Sequence, residues 1–251
     1  MATSPASSGP AGSQFEAQVG AHYLLSMLVG TEPRGLPGTT ITRVKFQRAA
    51  EGHSLDDVIV EARDYRGQPA VLEIQVKRTI TFTAGDTVFR DAVAQIADAT
   101  RRPDFWTRRH HLAIATSRSS RKIDGAYQDV LTWARQIGDA ATFMARITRP
   151  GSANDDMRMF VRTFASRLAE AGSASDDETV WKLLRRFQIL VFDFTAPGSA
   201  SAELAKVTPR GFDEFFTVRS FPIAEGIPTR SHSGPVPAPV SINPFCPLYS
   251  L

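Results

Sequence analysis

The sequence predicts an α/β protein in which a mixed β-sheet is flanked by helices and followed by a C-terminal helical extension. Short apolar runs of strand length and longer runs with one apolar face follow one another in the order α-β-β-β-α-β-α. From Asn154 onward the pattern becomes amphipathic and helical, with arginines on the polar faces. A chain of 251 residues, 42% of them hydrophobic, is long enough to bury an ordinary core around such elements.

One helix and three strands are predicted in the first part of the chain. Residues Ser13–Gly30 are apolar over most of their length and end on a glycine, which is typical of a helix with one buried face. Ile41–Ala49 alternates imperfectly between apolar and polar residues and is predicted to be an edge strand. The runs "DVIVEAR" and "AVLEIQVKR", separated by a turn that contains Gly67 and Pro69, predict an antiparallel hairpin.

Helices dominate the second part. The run "VFRDAVAQIADATRR" has a single apolar stripe, "HHLAIATS" (His110–Ser117) has the composition of a buried strand, and "AYQDVLTWARQI" predicts another helix. Two further amphipathic helices are predicted to begin at the acidic pairs Asp155-Asp156 and Asp176-Asp177. The second of these continues into "ILVFDF", which fits either a strand or a buried helix end.

The composition divides the chain into four parts. Residues 1–12 are rich in Ser, Ala, Pro and Gly, without a basic start or an apolar run, which favours a disordered leader over a signal peptide. Residues 13–150 hold the α/β elements, and residues 151–208 form the helical extension, which we expect to need a partner surface. Residues 209–251 are Pro-rich and lack periodicity, so we interpret them as a tail.

The sequence also predicts a cellular location. It contains no run of about 18 or more apolar residues, so we expect no membrane-spanning segment. The single cysteine, Cys246, excludes a disulfide framework within the chain and a cysteine-based zinc site. A reducing cytoplasm is therefore the expected location.

Basic residues are concentrated directly after the hairpin. Between Gln75 and Lys122 there are ten Lys or Arg and four Asp, whereas the whole chain has a net charge of only +3. Such a segment is typical of a surface that binds a polyanion, although ordinary solvated helix faces would give the same counts. Most of these cations occur in groups, namely Arg101-Arg102, Arg108-Arg109 and Arg118, Arg121 and Lys122.

The hairpin carries the candidate chemistry. Along a strand every second residue shares a face, so Glu73, Gln75 and Lys77 are predicted to project to one side. A turn centred near residues 66–67 would bring Asp56 or Asp57 opposite Lys77, and a shift of half a residue decides which aspartate it is. Mg²⁺ prefers such oxygen ligands and is often held by only one or two carboxylates. The group therefore fits a hydrolytic site in which a lysine stabilises the charge that develops on phosphorus.

The spacing Asp57 … Gln75-Val-Lys77 across a strand, a turn and a strand resembles the PD-(D/E)xK nuclease superfamily, in the variant with Gln in place of the second acid. The opening "GSQFEAQVGAHYLL" resembles the N-terminal helix of its restriction-endonuclease-like members, in which a Phe-Glu pair supplies an acid, here Glu16. Over about Ser13–Ser117 the chain resembles the DUF4297 type of endonuclease domain, which occurs in bacterial anti-phage defence proteins. One departure is that a leucine, not a proline, precedes the aspartate pair.

The resemblance implies a restriction-endonuclease-like fold for residues 13–150 and metal-dependent cutting of double-stranded DNA. It makes Asp57, Gln75 and Lys77 the catalytic residues, with Lys77 as the catalytic lysine. It makes Asp57, Gln75 and Glu16 the ligands of Mg²⁺ or Mn²⁺. Defence effectors of this type depend on assembly, which implies a second copy of the chain or a sensor or NTPase protein as partner.

Three alternatives stay open at this point. Gln in place of an acid can mark a catalytically silent module that binds nucleic acid or protein on the same fold. RNA or single-stranded DNA could be the substrate instead of duplex DNA. Charged residues at the hairpin could also protect an edge strand from aggregation, a role that fits Lys77 and Glu73.

His110 and His111 are adjacent on a strand and point to opposite faces, so we expect no shared metal between them.

Overall fold

A computed structural model describes residues 10–47 and 53–194, in which a five-stranded sheet is flanked by six α-helices. The strands are β1 (Thr39–Phe46), β2 (Val58–Asp64), β3 (Pro69–Val76), β4 (Arg109–Thr116) and β5 (Phe187–Val191). The helices are α1 (Pro10–Val29), α2 (Thr87–Thr100), α3 (Gln128–Gln136), α4 (Ala140–Thr148), α5 (Asp155–Glu170) and α6 (Asp177–Arg186), and a π-helical segment (Lys122–Tyr127) leads into α3.

The sheet is mixed, as the sequence predicts. Its spatial order is β1-β2-β3-β4-β5, with antiparallel pairing from β1 to β3 and parallel pairing from β3 to β5. The imperfect alternation in the edge strand β1 corresponds to a register shift between Ile41 and Arg43. At the hairpin turn Gly67 has a φ of +76°, a conformation that favours glycine.

Helix α1 covers one face of the sheet. Phe15, Val19 and Tyr23 are buried against alternate residues of β2 and β3, among them Leu72 and Ile74. The hydroxyl group of Tyr23 donates a hydrogen bond to the Arg34 carbonyl at 2.8 Å, so the polar end of this buried ring is satisfied. This packing places the start of α1 beside the hairpin.

The other helices form one core on the opposite face. The ring of Phe160 in α5 lies 6.3 Å from that of Phe89 in α2 and 4.5 Å from that of Tyr127. Strand β5 then completes the sheet beside β4, which decides the alternative left open for "ILVFDF" in favour of a strand. The core is therefore continuous across residue 150, where the sequence predicted the start of a separate helical extension.

Helix boundaries differ from the predictions at several points. Helix α1 begins at Pro10, three residues inside the predicted leader, and the rest of that leader lies outside the described residues. Helix α4 was not predicted; the Asp139 side chain caps it by accepting a hydrogen bond from the Thr142 N–H at 2.8 Å. Asn154 and Asp176 cap α5 and α6. The Pro-rich tail, 209–251, lies outside the described residues.

Within the ranges that the structure describes, no helix combines the length and the apolar character needed to cross a membrane.

Candidate active site at the carboxyl edge of the sheet

The candidate residues meet at one edge of the sheet. Strands β2 and β3 are antiparallel, so Asp57, which directly precedes β2, lies at the same end as Gln75 and Lys77. This is also the carboxyl end of the parallel strands β3, β4 and β5. Ligands of open α/β sheets commonly bind outside the carboxyl ends of the strands. The fold therefore puts the hairpin's polar end where such sheets usually hold their sites.

Asp57 contacts β3 directly. Its Oδ2 accepts hydrogen bonds from the Gln75 Nε2 at 2.6 Å and from the Val76 N–H at 2.7 Å. The strand register pairs Val58 with Ile74, and its continuation sets Asp57 opposite Gln75. The prediction of an aspartate opposite Lys77 is therefore wrong, because the hairpin turn is centred slightly earlier than expected. Of the two aspartates, Asp57 is the one that engages the second strand.

Gln75 is almost fully buried, with 3% of its surface exposed. Its Nε2 is used by Asp57, whereas its carbonyl oxygen Oε1 is buried and has no hydrogen-bond partner among the described residues. A buried carbonyl without a partner is destabilising, and native structures usually satisfy such atoms with a protein group, a water molecule or an ion. This oxygen therefore needs a partner that the described residues do not supply.

The backbone around Lys77 is held by β4. The Lys77 N–H donates a hydrogen bond to the Ala115 carbonyl at 2.8 Å, and the Arg78 carbonyl accepts one from the Ser117 hydroxyl at 2.9 Å. The Lys77 side chain is half-buried and makes no ion pair within the described ranges. Its charge nevertheless acts on Asp57, as the pKa of that carboxyl group shows.

The carboxyl group of Asp57 has an unusual proton affinity. Burial raises the pKa of Asp57 from 3.8 to about 6, and the negative charges of Glu16 and Asp56 add to the rise. The positive charge of Lys77 and the hydrogen bond from the Val76 N–H oppose it. Shifts of this kind, caused by burial beside like charges, are common where a carboxylate performs chemistry or binds a cation.

Glu16 reaches the same area from α1. Its Oε1 accepts a hydrogen bond from the Gln47 Nε2 at 3.3 Å, and the Gln47 N–H points to the Asp57 carbonyl at 3.4 Å. Gln47 has a φ of +50°, which non-glycine residues rarely adopt. Strained residues of this type often occur beside functional sites. The structure thus brings Glu16 close enough to affect the pKa of Asp57, with Gln47 between the two chain segments.

The donor set fits a hard divalent cation in its chemistry. It offers the carboxylate of Asp57, the unpartnered carbonyl oxygen of Gln75 and the carboxylate of Glu16 nearby. Oxygen ligands of this kind suit Mg²⁺ and Mn²⁺. No cluster of three or more His, Cys, Asp or Glu side chains suited to a metal occurs in residues 10–47 and 53–194.

Glu73 does not join this group. Its fully buried carboxylate lies 2.8 Å from the Nδ1 of His53 and 2.8 Å from the Nε2 of His110, and it forms a salt bridge with Arg102. Burial alone would raise the pKa of Glu73, but the hydrogen bonds with His110 and His53 and the charge of Arg102 outweigh it and lower the pKa to about 2. The expectation that Glu73 would share one polar group with Gln75 and Lys77 is wrong.

The sequence does not predict the Glu73 cluster (His53, Glu73, Arg102 and His110). Its members come from the loop before β2, from β3, from the segment directly after α2 and from β4, so only tertiary packing brings them together. The cluster also holds the loop that leads to Asp57, because the Leu55 N–H donates a hydrogen bond to the Glu73 carboxylate at 3.4 Å.

The basic residues separate into two groups. Arg78, Arg118 and Arg121 are exposed beside the ends of β3 and β4, near Lys77; we call them the basic edge. Arg108 and Arg109 lie at the opposite end of β4, where Arg108 pairs with the Asp104 carboxylate. The arginines grouped in the sequence therefore do not form one continuous surface.

Comparisons of the chain with protein-family models, with curated proteins and with solved structures found no match.

Proposed function

We propose that the chain is a metal-dependent endonuclease that hydrolyses phosphodiester bonds of double-stranded DNA on a restriction-endonuclease-like fold of the PD-(D/E)xK type. The observation that carries the proposal is the contact between Asp57 and Gln75 at the carboxyl edge of the sheet, two residues before Lys77. Three further features support the proposal: the motif resembles that of the PD-(D/E)xK superfamily, the carboxyl group of Asp57 is buried near Lys77, and Glu16 lies nearby. A role as a bacterial anti-phage effector in the cytoplasm, assembled with a second copy or with a sensor or NTPase protein, belongs to the same proposal.

Asp57, Gln75 and Glu16 would hold Mg²⁺ or Mn²⁺ through their oxygen atoms. Such an ion, when bound, polarises a phosphoryl oxygen and makes a bound water molecule more acidic. Above pH 6 the Asp57 carboxylate is mostly ionised and can act as an anionic ligand. Lys77, whose backbone is held against β4, would orient the attacking water and stabilise negative charge on the phosphorane.

The basic edge would bind the DNA backbone. Arg78, Arg118 and Arg121 are exposed at the same end of the sheet as Asp57 and have no carboxylate partner in the described part of the chain. Contacts between arginines and phosphates weaken as salt rises, because binding releases counterions. DNA affinity should therefore fall steeply between low and high salt.

Cleavage of supercoiled plasmid in Mg²⁺ or Mn²⁺ tests the proposal. We expect the wild-type protein to produce nicked and linear DNA, and Lys77→Ala to lower the rate by about 10²–10³-fold because a group that stabilises the transition state is lost. Arg66→Ala is the matched control, since Arg66 is an exposed cation at the other end of the same hairpin. Thermal unfolding of each variant checks that it is folded.

Two outcomes would contradict the proposal. Cleavage by Lys77→Ala at the wild-type rate would show that Lys77 takes no part in the reaction. A wild-type protein that retains DNA in a salt-sensitive way but never cleaves it would be the silent binding module. Parallel reactions with single-stranded DNA and RNA decide the substrate.

A further inference from the structure

A concave site lies at the opposite end of the sheet from Asp57. A cavity of about 720 Å³ opens at the start of β4, and Arg109 and His111 lie in its wall. Strand β4 continues for eight residues before it reaches the candidate active site, which corresponds to roughly 20 Å. Cavities of about 300–1,000 Å³ are typical of small-molecule sites. This site is therefore separate from the proposed nuclease centre and suited in size to a small ligand.

The wall of the cavity is cationic. Five of its lining residues are Lys or Arg and only two, Asp139 and Glu178, are acidic. Asp139 caps α4, and Glu178 pairs with Lys182 at 2.9 Å, so Lys182 shares its charge with that acid while three cations remain in formal excess. The cavity therefore presents an excess of positive charge to a ligand.

Arg185 is the cation most available to an anion. Its guanidinium group lies 4.6 Å from the centre of the Trp181 ring, and among the described residues it has no carboxylate or carbonyl partner. The neighbouring Arg186, in contrast, donates hydrogen bonds to the carbonyl groups of Phe105 and Trp106. An arginine that is held by an aromatic ring but not neutralised is well suited to bind phosphate.

Aromatic and unpartnered polar groups complete the wall. Trp106 is 38% exposed, whereas Trp181 is 5% exposed. The buried indole Nε1 of Trp181 and the Nδ1 of His111 lack hydrogen-bond partners within the described ranges. Burial and the nearby arginines lower the pKa of His111 to about 4, so its ring is neutral at pH 7. Polar atoms of this kind are destabilising until a partner satisfies them.

We propose that this cavity binds a nucleotide, with its phosphates on Arg185 and Lys182 and its planar base against Trp106. The volume is larger than inorganic phosphate requires, and the exposed ring gives a base a surface on which to stack. The cavity lies at the opposite end of the strands from the basic edge, so it is not the surface that would hold duplex DNA. The inference is independent of the proposed nuclease activity.

Titration of the full chain with ATP, followed by tryptophan fluorescence, tests this inference. Two of the three tryptophans line the cavity, so occupation should change the emission in a saturable way. We expect Arg185→Gln and Lys182→Gln each to weaken ATP binding by about tenfold or more, because each removes a charged contact to phosphate. Arg162→Gln, on an exposed position of α5, should bind as the wild type does.

Controls separate the ligand chemistries. Adenosine and inorganic phosphate, added alone, should each bind more weakly than ATP. Lys182 is an exposed member of a surface pair, so Lys182→Gln remains informative if Arg185→Gln unfolds. The absence of a saturable change at millimolar ATP, or equal affinity in the wild type and Lys182→Gln, would overturn the inference. Displacement of ATP by a duplex oligonucleotide would identify a polynucleotide surface instead.

Discussion

Asp57 is held in a state that favours its protonated form. Its carboxyl group is buried beside Glu16 and Asp56, and the charge of Lys77 and the hydrogen bonds from the Val76 N–H and the Gln75 Nε2 offset the cost of its negative charge only in part. The folded protein therefore binds the Asp57 proton more tightly than the unfolded chain does. The contribution of this group to stability is present below pH 3.8 and is lost as pH rises through about 6. At neutral pH the ionised carboxylate destabilises the metal-free fold.

We predict that Asp57→Asn stabilises the metal-free protein at pH 8. The neutral amide can still accept a hydrogen bond from the Val76 N–H, and the charge that opposes folding is gone. The shift from 3.8 to about 6 corresponds to at most about 3 kcal/mol of unfolding free energy. Urea unfolding in EDTA at pH 8 and at pH 4 measures the difference, which should nearly vanish at pH 4. Lower stability of Asp57→Asn at pH 8 would contradict this account.

Glu73 has the opposite behaviour, because its surroundings favour the charged form. Its stabilising contribution is present above its ordinary pKa of 4.5 and is lost as pH falls toward about 2. We predict that Glu73→Gln lowers the unfolding free energy at pH 7 by about 3–5 kcal/mol, since it leaves the half-buried Arg102 without the carboxylate that it pairs with.

Glu61→Gln is the matched control for Glu73→Gln. Glu61 lies in the neighbouring strand β2 and pairs with Lys45 at 2.7 Å, but 30% of its side chain is exposed. Its loss should change stability by less than about 1 kcal/mol. Equal effects of the two substitutions in chemical unfolding would show that the Glu73 cluster does not support the fold.

At the scale of elements, the helices after residue 150 belong to the same core as those before it. Phe160 of α5 stacks on Tyr127 and lies near Phe89, and Phe187 of β5 is fully buried below the helices. The buried faces of these helices are therefore covered by other elements of their own chain, mainly the helices before residue 150. A partner would have to bind elsewhere.

We predict that Phe160→Ala lowers the unfolding free energy by about 3–5 kcal/mol, because it leaves a cavity among aromatic rings. Met159→Ala is the control, since Met159 is the adjacent residue and is 52% exposed. Thermal or chemical unfolding measures both. If residues 151–194 were a separate extension, Phe160→Ala would leave the main transition in place, which is the result that would contradict a single core.

Across the whole molecule, features that depend on local sequence patterns could be predicted, whereas contacts between distant parts of the chain could not. The periodicity of apolar residues and the capping residues predict the strands β1 to β4 and the helices α2, α5 and α6. The turn between β2 and β3 is short, so the sequence also predicts that Asp57 and Gln75 lie close together. The predicted register of β2 against β3 was wrong because the sequence pattern does not determine the residue at the centre of the turn. The Glu73 cluster could not be predicted, because its residues are up to 57 positions apart in the chain and only packing joins them.

The rate of plasmid cleavage by Asp57→Asn, compared with that by Asp56→Asn, tests whether Asp57 holds a catalytic metal ion. Both variants remove one negative charge at adjacent positions, but only Asp57 contacts Gln75 and the Val76 N–H. We expect Asp57→Asn to cleave at least about 100-fold more slowly than the wild type, because a metal ligand is lost, whereas Asp56→Asn should stay close to the wild-type rate. Equal rates for the two variants, or a larger loss in Asp56→Asn, would contradict this expectation.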